Sequence, residues 1–193
     1  LPPSIEQITA FLEDRHDDAW AKLIDELLAS PRYGERWGRH WLDVARYADT
    51  NGMDEDIAHP SAWRYRDYVI ASFNKDKPFD QFIVEQLAGD LLPAKDLTEK
   101  RARTVGLGFL SVGPKMLACD DPDKMRRDIV DEQMDTTGRA FLGMTIGCAR
   151  CHDHKFDPIS HDEYYELFAF FDDIDESGLY SHFTGAVPTP TLL

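Results

Sequence analysis

Apolar residues recur along most of this chain at the three- and four-residue spacing of one face of an α-helix. Residues 17–29 give the clearest case, because Trp20, Leu23, Ile24, Leu27 and Leu28 keep that spacing as far as the stop at Ser30-Pro31. This period is typical of an amphipathic helix. An earlier helix is predicted after Ser4, which can act as an N-cap with Gln7 three residues later. Similar patterns predict helices over residues 34–47, 62–73, 78–87 and 162–171.

The second half of the chain is less uniform. Residues 121–141 predict a long amphipathic helix, whereas residues 104–115 contain three glycines and a proline among apolar residues and are expected to form a loop. Residues 177–193 show no helical period and are expected to be an extended tail or a linker to further domains. The pattern as a whole predicts an all-α fold, in which residues 1–176 form one domain of about six to eight helices with long loops.

Composition and charge exclude several classes of protein. With 193 residues, of which 42% are hydrophobic, the chain can bury one substantial core. No run approaches the roughly 18 consecutive apolar residues of a membrane span, and Leu1 opens no basic and apolar leader of the signal-peptide type. The formal net charge of -15 argues against a nucleic-acid partner, because binding to phosphates rests on a basic surface.

The strongest chemical signal is the segment Cys148-Ala149-Arg150-Cys151-His152. Cys-x-x-Cys-His is the spacing of covalent c-type haem, in which two thiols form thioethers and the adjacent imidazole binds the iron. The same pair of cysteines also suits a disulfide, or a zinc site completed by a histidine and Cys119. On the haem interpretation, Cys148 and Cys151 attach the cofactor and His152 is the proximal ligand of the iron.

Five segments, spread over almost the whole chain, have the sequence and the order of one known family. They are residues 33–43 (YGERWGRHWLD), 63–67 (WRYRD), 78–82 (PFDQF), 85–90 (EQLAGD) and 148–159 (CARCHDHKFDPI). The chain resembles the cytochrome-type domain of unknown function that occurs in large, mostly planctomycete, secreted multidomain proteins. The resemblance implies an extracytoplasmic location, an export signal upstream, and haem held near the C-terminal third of the domain. It also implies that the redox partner is another protein or another domain of the same polypeptide.

The sixth ligand of the iron would decide the function. A second histidine or a methionine gives an electron carrier, whereas an open position permits binding of peroxide or oxygen. His40 is the preferred candidate, because it lies in a helix that carries the family resemblance. Its neighbours Arg39 and Trp41 are candidates for the propionates and the pocket wall. The other candidates are Met116, Met125, Met134 and Met144, and His59, His154, His161 and His182.

Three functional classes follow from these residues. The preferred one is a c-type haem electron-transfer domain, more a carrier than a catalyst. The alternatives are a peroxidase-like haem enzyme with an open distal site, and a non-haem interaction module stabilised by zinc or a disulfide. Calcium is a further hypothesis, from the acidic residues 54–56 and 120–123, although neither segment matches an EF-hand loop.

Overall fold

The computed structural model describes residues 2–53, 56, 58–116 and 119–174. Regular structure in these residues is helical, apart from an isolated antiparallel bridge between Thr50 and Ala58. Within the described ranges, eight α-helices have nine residues or more, which confirms the predicted all-α fold. The α-helices are α1 (Ile5–Glu13), α2 (Ala19–Ala29), α3 (Arg32–Val44), α4 (Ala62–Asn74), α5 (Phe79–Ala88), α6 (Leu97–Gly106), the single turn α7 (Gly108–Ser111), α8 (Pro122–Thr137) and α9 (His161–Asp172).

Side-chain caps explain where several of these helices begin. Ser4 and Ser160 each form a capping box, with Gln7 and Glu163 respectively, so that free amides of the first turn are satisfied. The side chain of Asp121 accepts hydrogen bonds from the first amides of α8. The N-cap role predicted for Ser4 is therefore confirmed. The predicted tail, residues 177–193, lies outside the described residues, and its boundary with the domain stays a prediction.

The described residues contain two large hydrophobic cores and one small cluster, which is formed by Met125 and Ile129. The first core lies where α3 and α4 pack together with α5 and α7, and its centre is Trp41. The indole N–H of Trp41 donates to the Tyr65 hydroxyl and to Gln86 Oε1, each at 2.9 Å. The second core lies between α8 and α9 and contains Met134 and Tyr164. The half-buried ring of Phe171 packs against both cores and joins them.

The prediction of a loop over residues 104–115 is wrong for residues 104–111, where the chain is helical. The end of α6 and the single turn α7 pack closely against α4 and α5. A Cβ atom added to Gly106 would lie 2.8 Å from the carbonyl oxygen of Glu85, and one on Gly108 would lie 2.9 Å from Cβ of Tyr65. The glycines therefore permit close packing of helices, a use that a local sequence pattern does not distinguish from helix breaking.

The long helix predicted over residues 121–141 also differs in its last turn. Regular α-helix ends at Thr137, and a π-helical turn, Gly138–Leu142, follows it. Gly143 then reverses the chain with a φ of 65°, in the left-handed region that glycine tolerates. This reversal leads into the 3₁₀ helix Ile146–Arg150, which packs on α8 and α9 and contains Cys148. No helix in the described residues is long and apolar enough to cross a membrane.

Candidate functional site

The 3₁₀ helix separates the side chains that anchor the Cys-x-x-Cys-His segment from those that carry its chemistry. A 3₁₀ helix has three residues per turn, so positions three apart share a face. Ile146 and Ala149 are buried in the second core. Cys148 and Cys151, which are offset from that pair, are exposed free thiols. His152 follows them and is also exposed. The two thiols and the imidazole are therefore accessible from solvent on a segment whose other face is packed.

Arg150, the second residue between the cysteines, ties this segment to α8. Its Nη1 atom lies 2.7 Å from Oδ2 of Asp131. The other carboxylate oxygen of Asp131 accepts a short hydrogen bond from the hydroxyl of Tyr164. Burial, together with this bond to a carboxylate, raises the pKa of Tyr164, so that the phenol stays protonated and continues to donate. From α9, the Tyr165 hydroxyl donates to the carbonyl oxygen of Arg150 at 3.2 Å.

The hydrogen bond of the His152 imidazole suits metal binding through Nε2. The Nδ1 atom of His152 lies 2.7 Å from the carbonyl oxygen of Asp153. Because a carbonyl oxygen can only accept, this contact assigns the proton to Nδ1 and leaves the lone pair of Nε2 free. Histidines that bind metals in proteins commonly use this arrangement, in which one ring nitrogen donates to a carbonyl and the other binds the metal.

Two further histidines fix the backbone around His152. The Nδ1 atom of His161 lies 3.0 Å from the carbonyl oxygen of Ala149, and its amide donates to Oδ1 of Asp153 at 2.8 Å. The Nδ1 atom of His154 accepts hydrogen bonds from the amides of Phe156 and Asp157. The Nε2 atom of His154 lies 3.2 Å from the Thr145 hydroxyl. His161 thus links both sides of the motif, and His154 orders the turn that follows it.

The preferred sixth ligand belongs to a different part of the domain. His40 is exposed on α3, and its Nε2 atom lies 2.6 Å from Nη1 of Arg36. Arg39 is exposed on the same helix, and Trp41 is buried at the centre of the first core. The motif lies over the second core, so the structure does not place these three α3 residues in the cluster that holds it. Their contacts with a haem stay predictions.

The remaining candidates for the sixth ligand occupy varied environments. Met125 and Met134 are buried, Met116 is exposed, and His59 is buried at 7% exposure. Met144 is half-buried and packs against the same core as the motif. His154 and His161 are the two that hydrogen-bond within the segment described above, and His182 lies outside the described residues.

Several residues near the motif escaped the sequence analysis. Arg139 pairs with Asp135 at 2.6 Å, and a Cβ atom added to Gly147 would lie 3.2 Å from Oδ1 of Asp135. The hydrogen bond to Asp135 raises the pKa of Arg139, and the nearby Cys148 thiolate would act in the same direction. The sequence signal for this pair was the i,i+4 spacing of opposite charges on one helix. Nothing local in the sequence predicted the partners of Arg150 and His161.

The zinc and calcium hypotheses find no preformed ligand set. Across the described ranges, no three His, Cys, Asp or Glu side chains come together as a metal-binding group. Cys119 packs against Met125 and Ile129, and its thiol lies 3.3 Å from the carbonyl oxygen of Asp121. The side chain of Asp121 serves as the cap of α8. Residues 54 and 55 of the other acidic segment lie outside the described residues.

The fold and the site together define an all-α domain that presents an exposed Cys-x-x-Cys-His segment. The family model of PSCyt2, described as a protein of unknown function (DUF1549), matches residues 1–176. The chain therefore belongs to this family, and the predicted resemblance to a domain of unknown function is confirmed. Its cytochrome-type character stays a prediction. No curated protein and no solved structure matched the chain.

Proposed function

We propose that this domain carries covalent c-type haem and transfers electrons. Cys148 and Cys151 would form the thioethers, and Nε2 of His152 would be the proximal ligand. One observation carries the proposal: both thiols and the imidazole are exposed on a firmly packed segment, and the His152 tautomer leaves Nε2 free. When bound, haem supplies an iron that alternates between the ferric and ferrous states.

The side chains around the motif fit such a group. Haem has broad apolar faces, and Phe156 and Tyr165 are 83% and 47% exposed close to the motif. Covering these rings would remove apolar surface from water. The guanidinium groups of Arg139 and Arg150 lie near the cysteines and are suited to propionate carboxylates. In the protein without haem they are paired with Asp135 and Asp131, so propionates would share these cations with the aspartates.

The supporting residues would hold the ligand in place. The carbonyl of Asp153 keeps the proton on Nδ1 of His152, and the bond from His161 to Ala149 fixes the backbone between the two cysteines. Preorganisation of this kind lowers the reorganisation that accompanies a change of charge at a nearby centre. A structural zinc site would require about four convergent ligands, and the described residues bring no such group together.

The test is an absorption spectrum of protein produced in a host competent in c-type haem maturation. We expect sharp bands on reduction, and haem retained by the polypeptide on a denaturing gel. The His152→Ala variant should lose the low-spin spectrum, because it lacks the proximal ligand. The His16→Ala variant is the matched control, since His16 is exposed beside Asp14 near the N-terminus; its spectrum should equal that of the parent.

Three outcomes would contradict the proposal or change its class. A folded, colourless protein would overturn it and redirect attention to zinc or a disulfide. An unchanged spectrum of His152→Ala would remove the proximal role. A high-spin spectrum that shifts on addition of peroxide would favour the peroxidase-like alternative over the electron carrier.

A further inference from the structure

The helix α2 carries an apolar stripe that faces solvent. Four of its residues, Trp20, Ile24, Leu27 and Leu28, are 40–63% exposed, and we name this set the α2 stripe. They follow the spacing by which an amphipathic helix normally packs on a core. The helix itself contains no buried residue. A face of this kind, on a helix with so regular an apolar period, is typical of a surface that another helix covers.

The adjoining helix α1 extends the apolar surface. The ring of Phe11 meets that of Trp20 edge to face, with the centroids 5.7 Å apart. Ile5, Ile8 and Leu12 of α1 are 78%, 45% and 64% exposed, and they also follow helical spacing. No residue of α1 is buried. Exposed apolar side chains therefore lie on both N-terminal helices, which touch through Phe11 and Trp20.

Acidic residues flank this apolar surface. At 3.6 residues per turn, Asp25 lies about a third of a turn from the centre of the α2 stripe on one side, and Glu26 lies about two fifths of a turn from it on the other. The cation Lys22 lies on the far side of the helix, where it pairs with Asp18 at 2.8 Å and reaches Asp14 at 3.7 Å. In α1, Glu6 and Glu13 fall on one side of the apolar positions by the same geometry. An occupant with basic flanks would complement these charges.

We propose that the α2 stripe is the docking surface for an amphipathic helix of a partner protein, with a leucine-rich face flanked by lysine or arginine. A second copy of this chain would bring like charges together, since each copy carries a net charge of -15. Residues 175–193 contain no lysine or arginine and do not supply the complementary charge. An anionic bilayer would be repelled by the same acidic flanks. The surface is separate from the Cys-x-x-Cys-His segment, so the inference is independent of haem.

The test is titration of the full 193-residue chain with a synthetic helical probe, the 14-residue peptide LKKLLKLLKKLLKL, by calorimetry at 0.15 M salt. The informative variant is Leu27→Glu, which places a charge in the α2 stripe. The matched variant is Ala29→Glu, which adds the same charge on the exposed far side of α2. Circular dichroism checks that both variants keep the helical content of the parent.

The two variants separate docking from general charge attraction. We expect Leu27→Glu to weaken binding by about tenfold or more, because it removes one buried leucine from the complex. Ala29→Glu should bind within about twofold of the parent, since the Debye length is about 8 Å at this ionic strength. Failure of the parent to bind the peptide would overturn the proposal. Equal or tighter binding by Leu27→Glu would also overturn it, because attraction by net charge alone predicts that result.

Two further measurements test whether a second copy of the chain or a membrane covers the α2 stripe instead. Sedimentation of the parent that gives a dimer, lost in Leu27→Glu, would replace the partner helix by a second copy. Flotation with vesicles of phosphatidylcholine and phosphatidylserine that depends on Leu27 would replace it by a membrane surface. Either result would contradict the proposal as stated.

Discussion

The first core buries its polar side chains, whereas the Cys-x-x-Cys-His segment exposes its cysteines and its histidine. In the first core, Trp41, Tyr65 and Gln86 are buried and hydrogen-bonded to one another. In the motif, the packed residues are apolar or paired, and the cysteines and His152 are left to solvent. The residues that stabilise the fold are therefore different from those that could carry chemistry, even where the two kinds of residue are neighbours in the sequence. Substitutions in the two regions should accordingly change different observables.

The clearest case of internal pairing lies at Glu85, which is 2% exposed. Its carboxylate is paired with Lys77, accepts from the Tyr68 hydroxyl at 2.9 Å and from Gln81 at 2.8 Å, and lies 3.6 Å from Nε of Arg103. Burial alone would raise the pKa of Glu85, but the hydrogen bonds from Lys77, Tyr68 and Gln81 outweigh it and hold the pKa below its ordinary value.

The largest expected effect is that of Glu85→Gln. Removing the carboxylate leaves Lys77 partly buried without its anion and leaves Arg103 paired with Glu99 alone, so we expect a loss of about 3 kcal/mol in the free energy of unfolding. Urea unfolding at pH 7 measures it. Because the pKa of Glu85 is lowered by folding, its contribution is present above the unfolded value of about 4.5 and is lost as pH falls through the folded value. The difference between parent and variant should therefore shrink in acid.

The control for this prediction is Glu99→Gln. Glu99 pairs with Arg103 at 2.9 Å but is 28% exposed at its side chain, so its loss should cost less than about 1 kcal/mol. Equal losses for the two variants would mean that Glu85 contributes only as one more surface pair.

A smaller loss is expected for Trp41→Phe. The variant removes the indole N–H that donates to Tyr65 and Gln86 and leaves a small cavity, which together should cost about 2 kcal/mol. The absorption spectrum of the haem-loaded variant should equal that of the parent, because Trp41 belongs to the first core. Trp63→Phe is the control, since Trp63 is 47% exposed on α4. A changed spectrum in Trp41→Phe alone would join the two regions and place Trp41 in the haem pocket.

A pH effect smaller than either loss is expected from His59. Burial lowers the pKa of His59, and the charge of Lys115 acts in the same direction, against the opposing effect of Asp49. The unfolded chain therefore binds more protons below about pH 6.5, and stability should fall as pH is lowered from there through the folded value. Urea unfolding at pH 7.5, 6.5 and 5.5 should give a shallower slope for His59→Gln. An unchanged slope, with His16→Gln as the exposed control, would exclude His59 as its source.

The smallest effect on stability is expected in the motif. The double variant Cys148→Ser, Cys151→Ser and the parent, both produced in a host without c-type haem maturation, should unfold within about 0.5 kcal/mol of each other, because both side chains are exposed. The same variant should retain no haem on a denaturing gel. A loss of stability as large as that of Trp41→Phe would show that the thiols support the fold, and would remove the contrast between the two regions.

The helices were largely predictable from the sequence because amphipathic periods and caps are local. The helix predicted over residues 62–73 is observed as Ala62–Asn74, and the one predicted over residues 78–87 is observed as Phe79–Ala88. The glycines of residues 104–111 were misjudged because their role depends on Glu85 and Tyr65, which are distant in the sequence. The apolar period of α2 predicted a helix correctly but gave no sign that its stripe faces solvent.

Of the candidate site, the sequence predicted only the two cysteines and the adjacent histidine. Cys148, Cys151 and His152 are adjacent and carry a known spacing. By contrast, Arg150 pairs with Asp131 across nineteen positions, and His161 contacts the carbonyl of Ala149 twelve positions away. Such contacts depend on how α8 and α9 pack, which no local pattern encodes. The preference for His40 as sixth ligand rested on the family segments and stays untested.

In the 3₁₀ helix, the Cys-x-x-Cys spacing also decides which side chains face the core. Because each turn takes three residues, Ile146 and Ala149 both face the core, whereas Cys148 and Cys151 both face solvent. One residue inserted between the cysteines would rotate the second by about 120° relative to the first. Either the second thiol or a polar neighbour would then meet the core. At this site a length change is therefore costlier to the fold than a change of residue.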